Sequence, residues 1–273
     1  MTTGADEPIV DVLAEEWAAI AEFGATLTDE EWSRPTECPG WQVRDLVSHM
    51  IGTERSLLGD EPPPALEEDP PHVHNAIGAS NEAWVRARRH VAGPAVLAEF
   101  VEVTGRRLDE LRAFPSTRFE EFAPSPVGQV PYREFMSVRV MDCWVHEQDA
   151  RVATGHPGHV EGAPGTVALA RIVSAMPFVV GKRAAAPDGA SVRFDVTGPL
   201  GRRIDVLVTG GRAAAVEDAG GQPSATLVLG SEAFWRLGCG RLSGAAAREA
   251  GLVEVAGDVA LGARVLDSMA FMI

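Results

Sequence analysis

A helical bundle followed by a smaller α+β domain is what this sequence predicts, on three observations. Its 273 residues exceed the roughly 150 of one typical domain. Apolar residues in the first half recur at three- and four-residue steps, the period of an amphipathic helix. After a Gly/Pro-rich stretch that begins at Gly155, the pattern changes to alternation broken by glycine turns. The expected domains are therefore a four-helix bundle over 1–155 and an α+β domain with an antiparallel sheet over 156–273.

Val10, Leu13, Trp17, Ile20 and Phe23 set the first helix. Thr28-Asp29-Glu30-Glu31 fits a capping box opening a short turn, the threonine hydroxyl meeting an orphan N–H while the glutamate reaches back. Pro35, Pro39 and Gly40 break the chain, and from Trp41 a second helix buries Val43, Leu46, Val47, Met50 and Ile51. Five prolines and five acids between Asp60 and Pro71 make an exposed loop. A long helical segment spans about Asn75 to Ala113, interrupted near Gly93-Pro94. Pro115 to Pro131 is expected to be a loop, and a fourth helix runs from about Arg133 to Thr154.

Beyond the linker a helical stretch reaches about Val180. Val192, Phe194 and Val196 then alternate, as do Ile204, Val206 and Val208, Ala214 and Val216, and Leu227 and Leu229. Gly198-Pro199, Gly210-Gly211 and Gly220-Gly221 separate them, the signature of antiparallel strands joined by turns. Helices at Ser231 to Leu237 and Asp258 to Met272 close the chain.

Composition narrows the function. Hydrophobic residues make up 45% and charged ones 23%, enough apolar matter for a packed core. Acids number 39 against 24 basic residues, a net charge of −15 that repels phosphate backbones, and no basic patch offsets it. Three cysteines, Cys38, Cys143 and Cys239, are too few and too scattered for a disulfide framework or a thiolate cage. Met1 to Pro8 lacks the basic start and apolar run of a signal peptide. Ile172 to Val180 contains Pro177 and falls short of the ~20 residues of a bilayer span. The expectation is a soluble, cytoplasmic protein with neither nucleic acid nor membrane as partner.

The anomaly lies on the fourth helix. Phe135, Val138, Asp142, Val145, His146 and Asp149 share one face, so a stripe that begins apolar continues with three ionisable groups. Burying an unpaired carboxylate costs several kcal/mol, so something must compensate it. Asp142 and His146 stand one helical turn apart, the spacing by which a helix offers two ligands to one metal. His49 on the second helix borders the same core and could complete a three-ligand site with a position open. An Asp/His pair at this spacing is also met as a plain local hydrogen bond.

Two strings carry a resemblance: Pro35-Thr36-Glu37-Cys38-Pro39-Gly40-Trp41-Gln42-Val43-Arg44-Asp45-Leu46-Val47-Ser48-His49, and Asp142-Cys143-Trp144-Val145-His146-Glu147-Gln148-Asp149. They resemble the mycothiol-dependent maleylpyruvate isomerase family of actinobacteria, whose N-terminal domain is a DinB-like four-helix bundle. The second half, with Phe234-Trp235-Arg236-Leu237-Gly238-Cys239-Gly240-Arg241 and Val255-Ala256-Gly257-Asp258, looks like that family's sterol-carrier-like C-terminal domain. The resemblance implies zinc, or another divalent metal, held by His49, Asp142 and His146, and mycothiol as thiol cosubstrate. It also implies an arginine for the substrate, Arg241 first and Arg236 second, through the planar guanidinium that suits a carboxylate. One departure stands out: the family's acid ligand is glutamate, and Asp142 is shorter by about 1.5 Å. Gln42 also stands where a hydroxyl residue commonly caps the second helix.

A zinc ion with two imidazoles and one carboxylate keeps a net positive charge and deprotonates a thiol at its open position. In the resembled family the sulfur adds to an electrophilic carbon, and the adduct either rotates and eliminates or persists. The expected function is therefore thiol transfer to, or cis–trans isomerisation of, a small electrophile. Asp149, a turn beyond His146, either orients that imidazole or pairs with Arg151. Trp41 and Trp144 are expected as apolar walls, a place that core packing alone would also explain, while Cys38, Cys143 and Cys239 are expected to be structural. His72 and His74, and likewise His156 and His159, are read as solvated loop residues. The alternative is a non-catalytic ligand- or lipid-binding protein whose polar cluster is structural.

Overall fold

The computed structural model describes residues 3–271. The chain divides into two compact units, Met1–Pro164 and Gly165–Ile273, so the Gly/Pro stretch after Gly155 belongs with the first unit.

In the first unit, helices α1 (Pro8–Gly24), α3 (Val43–Leu57), α5 (Gly93–Ala113) and α6 (Tyr132–Thr154) pack on one another as a four-helix bundle. Proline at the first turn of α1 costs nothing, because its missing N–H has no partner there anyway. The stripe Val10, Leu13, Trp17, Ile20 and Phe23 is buried, and so is Glu16 within it. The short α2 (Asp29–Trp32) opens as expected: the Thr28 N–H donates to Glu31 Oε2 at 2.9 Å and the Glu31 N–H to Thr28 Oγ1 at 3.3 Å. Ahead of α3 the turn Cys38-Pro39-Gly40-Trp41 closes through the Trp41 N–H to the Cys38 carbonyl at 3.0 Å. Gly40 sits there at φ 79°, the left-handed value that a type II turn needs at that position. Asp45 does the capping that Gln42 does not, accepting the Gln42 N–H at 2.9 Å.

The long segment is interrupted where expected, leaving α4 (Ala76–Arg86) and α5. α4 docks on α3 through Trp84, whose ring lies where Gly52 has no side chain; a Cβ at Gly52 would meet the Trp84 Cγ at 2.3 Å. The expected loop from Pro115 to Pro131 instead contains a small hairpin, β1 (Phe122–Ser125) paired antiparallel with β2 (Gly128–Pro131). Four-residue strands rich in proline carry too little alternation to announce themselves.

In the second unit α7 (Ala163–Phe178) continues into a π-helical turn over Val179–Arg183. By length and composition Ala163–Arg183 could cross a membrane. Its apolar side chains Leu169, Ile172, Met176, Val179 and Val180 are fully buried in the protein, as in a core helix.

The strands are β3 (Ser191–Thr197), β4 (Arg202–Thr209), β5 (Arg212–Val216), β6 (Ala225–Gly230) and β7 (Val253–Gly257), in the order β5-β4-β3-β6-β7. Three pairings are antiparallel, but β3 and β6 run parallel, so the sheet is mixed rather than purely antiparallel. Alternation reports which side of a strand is buried and is blind to the direction of its neighbour. The inward set Val192, Phe194, Val196, Ile204, Val206, Val208, Leu227 and Leu229 is buried as the sequence predicts. Helices α8 (Ser231–Gly238) and α10 (Val259–Asp267) pack on β6. α10 ends at Asp267, short of the predicted Met272, which itself lies outside the described residues, and α9 (Gly244–Glu249) and β7 fall in a stretch to which the sequence reading assigns no element.

Candidate metal centre

Two helices bring His49, Asp142 and His146 together. His49 projects from the middle of α3, and Asp142 and His146 from consecutive turns of α6. His49 Nε2 is 3.2 Å from Asp142 Oδ2, His146 Nε2 is 3.7 Å from Asp142 Oδ1, and the three ligand atoms lie within 4.8 Å of one another. Tetrahedral zinc with bonds near 2 Å sets its ligand atoms about 3.3 Å apart, so this spacing suits a small divalent cation. The shortened Asp142 reaches His49 directly. Both imidazoles are buried, whereas the Asp142 side chain keeps 19% of its surface exposed, so the cluster opens on the aspartate's side.

The electrostatics fit that donor set. Burial pushes the His49 imidazole down, against the pull of Asp142, and keeps a ring lone pair available for coordination. Burial alone would raise the Asp142 carboxyl; the His49 side chain and the Arg139 guanidinium outweigh it and hold the group well below its ordinary range. Arg139, one turn earlier on α6, donates through Nη1 to Asp142 Oδ2 at 2.6 Å and through Nε to Glu54 Oε1 at 2.8 Å. Glu54 in turn accepts from Arg107 Nε at 3.3 Å, continuing a buried ladder of alternating charge.

Asp149 is fully buried, with Oδ2 3.2 Å from His146 Nδ1, while Arg151 pairs with Glu147 instead, Nε to Oε1 at 2.7 Å. Of the two expected partners for Asp149, the structure brings it to His146. Cys38 is more than a turn residue: its Sγ lies 3.2 Å from the same Asp149 oxygen and 3.9 Å from His146 Nδ1. Trp41 stands over the cluster, its ring centroid 5.3 Å from that of His49 and 6.1 Å from that of His146, with its N–H donated to the buried Glu82 at 2.8 Å.

The other expected residues divide, Cys143 standing as the structural residue it was expected to be and several others differing. Trp144 has no exposed surface and donates its N–H to the His159 carbonyl at 3.1 Å, so it fills the core and cannot wall an accessible space. Cys143 is buried against the Trp17 N–H at 3.4 Å, and burial pushes its thiol up, which makes it inert. His72 pairs with Glu82 at 3.1 Å rather than standing in solvent, whereas His74 and His156 are exposed loop residues as expected, His156 with Glu31 at 2.7 Å. His159 caps two buried acids, with Nδ1 2.6 Å from Glu147 Oε2 and 3.8 Å from Glu16 Oε2. Its imidazole is pulled up by the Glu147 hydrogen bond, while burial beside Glu147 raises the Glu16 carboxyl well above its usual range.

In the second unit, Arg236 Nη1 lies 3.3 Å from Glu232, and Arg241 Nη1 donates to the Cys239 carbonyl at 2.8 Å, bracing the Gly-Cys-Gly-Arg turn. Sequence reasoning missed Arg139, Glu54 and Cys38. Arg139 at least was visible one turn ahead of Asp142 on the same stripe.

Residues 13–151 match the family described as the mycothiol maleylpyruvate isomerase N-terminal domain, and the chain belongs to that family. Two Mycobacterium tuberculosis proteins are similar in sequence: Uncharacterized protein Rv0036c, 25% identical over 150 residues (54% of this chain, 57% of that protein), and Uncharacterized protein Rv0738, 23% identical over 137 residues (50% and 62%). The matched part spans less than two thirds of either relative. The fold is similar to the crystal structure of the mycothiol-dependent maleylpyruvate isomerase, with a TM-score of 0.56 and 17% identity over 89% of this chain and 93% of that one. A mutant of the isomerase gives 0.57 and 16%, covering 95% of this chain and 98% of that one.

Proposed function

We propose that this chain is a metal-dependent enzyme that uses mycothiol, or a similar small thiol, to transfer the thiol to a small electrophile or to isomerise it. The observation that carries the reading is the convergence of His49, Asp142 and His146 within 4.8 Å, in a chain of this family whose fold is similar to that of a mycothiol-dependent isomerase. Those three residues would hold the cation, whose contribution is to draw a thiol in as thiolate at neutral pH.

The chain's own groups prepare that site. Asp149 accepts the Nδ1 proton of His146 and so presents Nε2 as the free donor. Arg139 orients Asp142 and balances its charge, while Trp41 covers both imidazoles and limits their contact with water. For Arg241, and secondarily Arg236, a part in gripping a substrate carboxylate rests on the resemblance, and Arg241→Ala should lower kcat/KM without loss of bound metal. A cytoplasmic location is part of this reading, and the burial of Leu169, Ile172, Met176, Val179 and Val180 within the protein supports it.

Isothermal titration decides the matter. Zinc-loaded protein should give heat on addition of mycothiol, and the His49→Ala variant should give none; zinc-loaded wild type without a thiol signal would end the proposal. A second reading, a non-catalytic protein with a structural polar cluster, has one observation in its favour. Asp142 Oδ2 already accepts from Arg139 and lies 3.2 Å from His49 Nε2, so the carboxylate has protein partners of its own. A folded, metal-free protein carrying a bound lipid would establish that reading.

A further inference from the structure

On the α1 side of the bundle lies a second polar cluster that the proposed chemistry does not use. Glu16 sits in the apolar stripe of α1 with no exposed surface, and neither of its carboxylate oxygens has a hydrogen-bond partner. Facing it from α6 is Glu147, whose side chain is equally inaccessible, one position after the metal-centre histidine and about 100° further around the helix. Arg151 takes one oxygen of Glu147 at 2.7 Å, and the other faces His159 at 2.6 Å. Two carboxyls buried side by side, with Arg151 and His159 hydrogen-bonded to Glu147 and no hydrogen-bond donor on Glu16, form a pair that a cation can bridge.

His159 is placed for that cluster by an uncommon backbone. Its φ of 51° lies in the left-handed region, which a residue with a side chain occupies only when its surroundings hold it there. Two donors from α6 supply the hold: the Trp144 N–H at 3.1 Å and the Gln148 amide at 3.3 Å both reach the His159 carbonyl. The pinned loop brings the imidazole over the acids, with 18% of its side chain left in contact with solvent as the covering group. Ligand atoms of Glu16, Glu147 and His159 lie within 4.8 Å of one another.

We propose that Glu16, Glu147 and His159 form a second divalent-cation site, distinct from the His49–Asp142–His146 cluster and not needed to explain it. Two carboxylate oxygens and one imidazole nitrogen are a donor set for zinc or manganese rather than for the all-oxygen cages of calcium. A cation entering past His159 takes the place of the protons that Glu16 and His159 Nδ1 hold, which pass to solvent, and the Nδ1–Glu147 contact opens from 2.6 Å to the roughly 3.3 Å between ligands of one ion, a shift within reach of a loop side chain. Arg151, on the far oxygen of Glu147, then orients that carboxylate from outside the coordination shell.

The test counts metal in the full chain after chelator stripping, reloading with zinc or manganese, and desalting. His49→Ala, which removes the first cluster, should retain one equivalent, and His49→Ala combined with either Glu16→Gln or His159→Ala should retain none. Added metal should raise the Tm of His49→Ala and leave that of His49→Ala/His159→Ala unmoved. A His49→Ala protein that holds neither metal overturns the proposal. So does a folded His49→Ala/His159→Ala protein that still holds an equivalent, and because His159 sits on a loop and not inside the bundle this variant decides the question even if Glu16→Gln misfolds. Glu16→Gln alone reports on the first cluster, so an empty first cluster and an empty second one give different counts.

Discussion

Arg139 and Asp142, one turn apart on α6, are joined by a 2.6 Å hydrogen bond, so the carboxylate proposed to hold a cation also carries a permanent positive charge at its side. The same guanidinium reaches Glu54 at 2.8 Å, which makes it the bridge between the candidate centre and the charge ladder of the bundle core.

Replacing Arg139 by methionine leaves Glu54 buried with only Arg107 for company. The expected loss is about 3 kcal/mol, the low end for breaking a buried ion pair because one partner remains. Urea unfolding of Arg139→Met, Glu54→Gln and the double variant measures it. The double variant should be less destabilised than the sum of the two, and strict additivity would show that the pair is not coupled.

Asp149→Asn keeps the shape of the residue while weakening the acceptor behind His146. Zinc affinity at the His49–Asp142–His146 cluster should fall about 10–100-fold, with saturation still reached at high zinc. Competition with a chromophoric chelator, in the Glu16→Gln background that isolates this cluster, reads the change. Unaltered affinity would remove Asp149 from the support of His146.

The Gly52–Trp84 contact predicts that Gly52→Ala destabilises the first unit by about 1–3 kcal/mol, since the new methyl must displace an indole rather than a flexible chain end. A thermal melt checks it. A stabilised variant, as helix propensity alone would give, would mean that α4 is free to move off α3.

Glu31 gives a pH signature of its own. The Thr28 backbone N–H, helped by His156 and the Thr28 hydroxyl, lowers its carboxyl from 4.5 to about 2. A folded value below the unfolded one means that the stabilisation is complete above about pH 4.5 and fades as the pH falls toward 2. Glu31→Gln should therefore melt below wild type at pH 7 and level with it near pH 2. An equal gap at both pH values would show that the charge is not the stabilising element.

The four bundle helices are legible in sequence because their apolar stripes have to face one another, and periodicity records which residues do so. His49, Asp142 and His146 stand out for the same reason, as polar groups on stripes that ought to be apolar. Arg139 lies on that stripe too, but an arginine explains itself so readily as a surface residue that spacing alone does not promote it. Glu16 is harder still. It occupies a core position between Leu13 and Ile20, and nothing local reveals that α6 brings Glu147 and a looped-back His159 to meet it. The parallel pairing of β3 with β6 is a long-range choice that leaves the alternation of both strands unchanged.

That pairing also fixes how the second unit tolerates shortening. β3 has β4 on one flank and receives its other neighbour only when the chain returns at Ala225. A truncation before that point would bare the backbone donors and acceptors of Ser191, Arg193 and Asp195 on the flank that β6 covers, beside the apolar side chains of Val192, Phe194 and Val196, a template for sticking to other copies. Trimmed versions of this protein should therefore precipitate long before they lose their remaining hairpins.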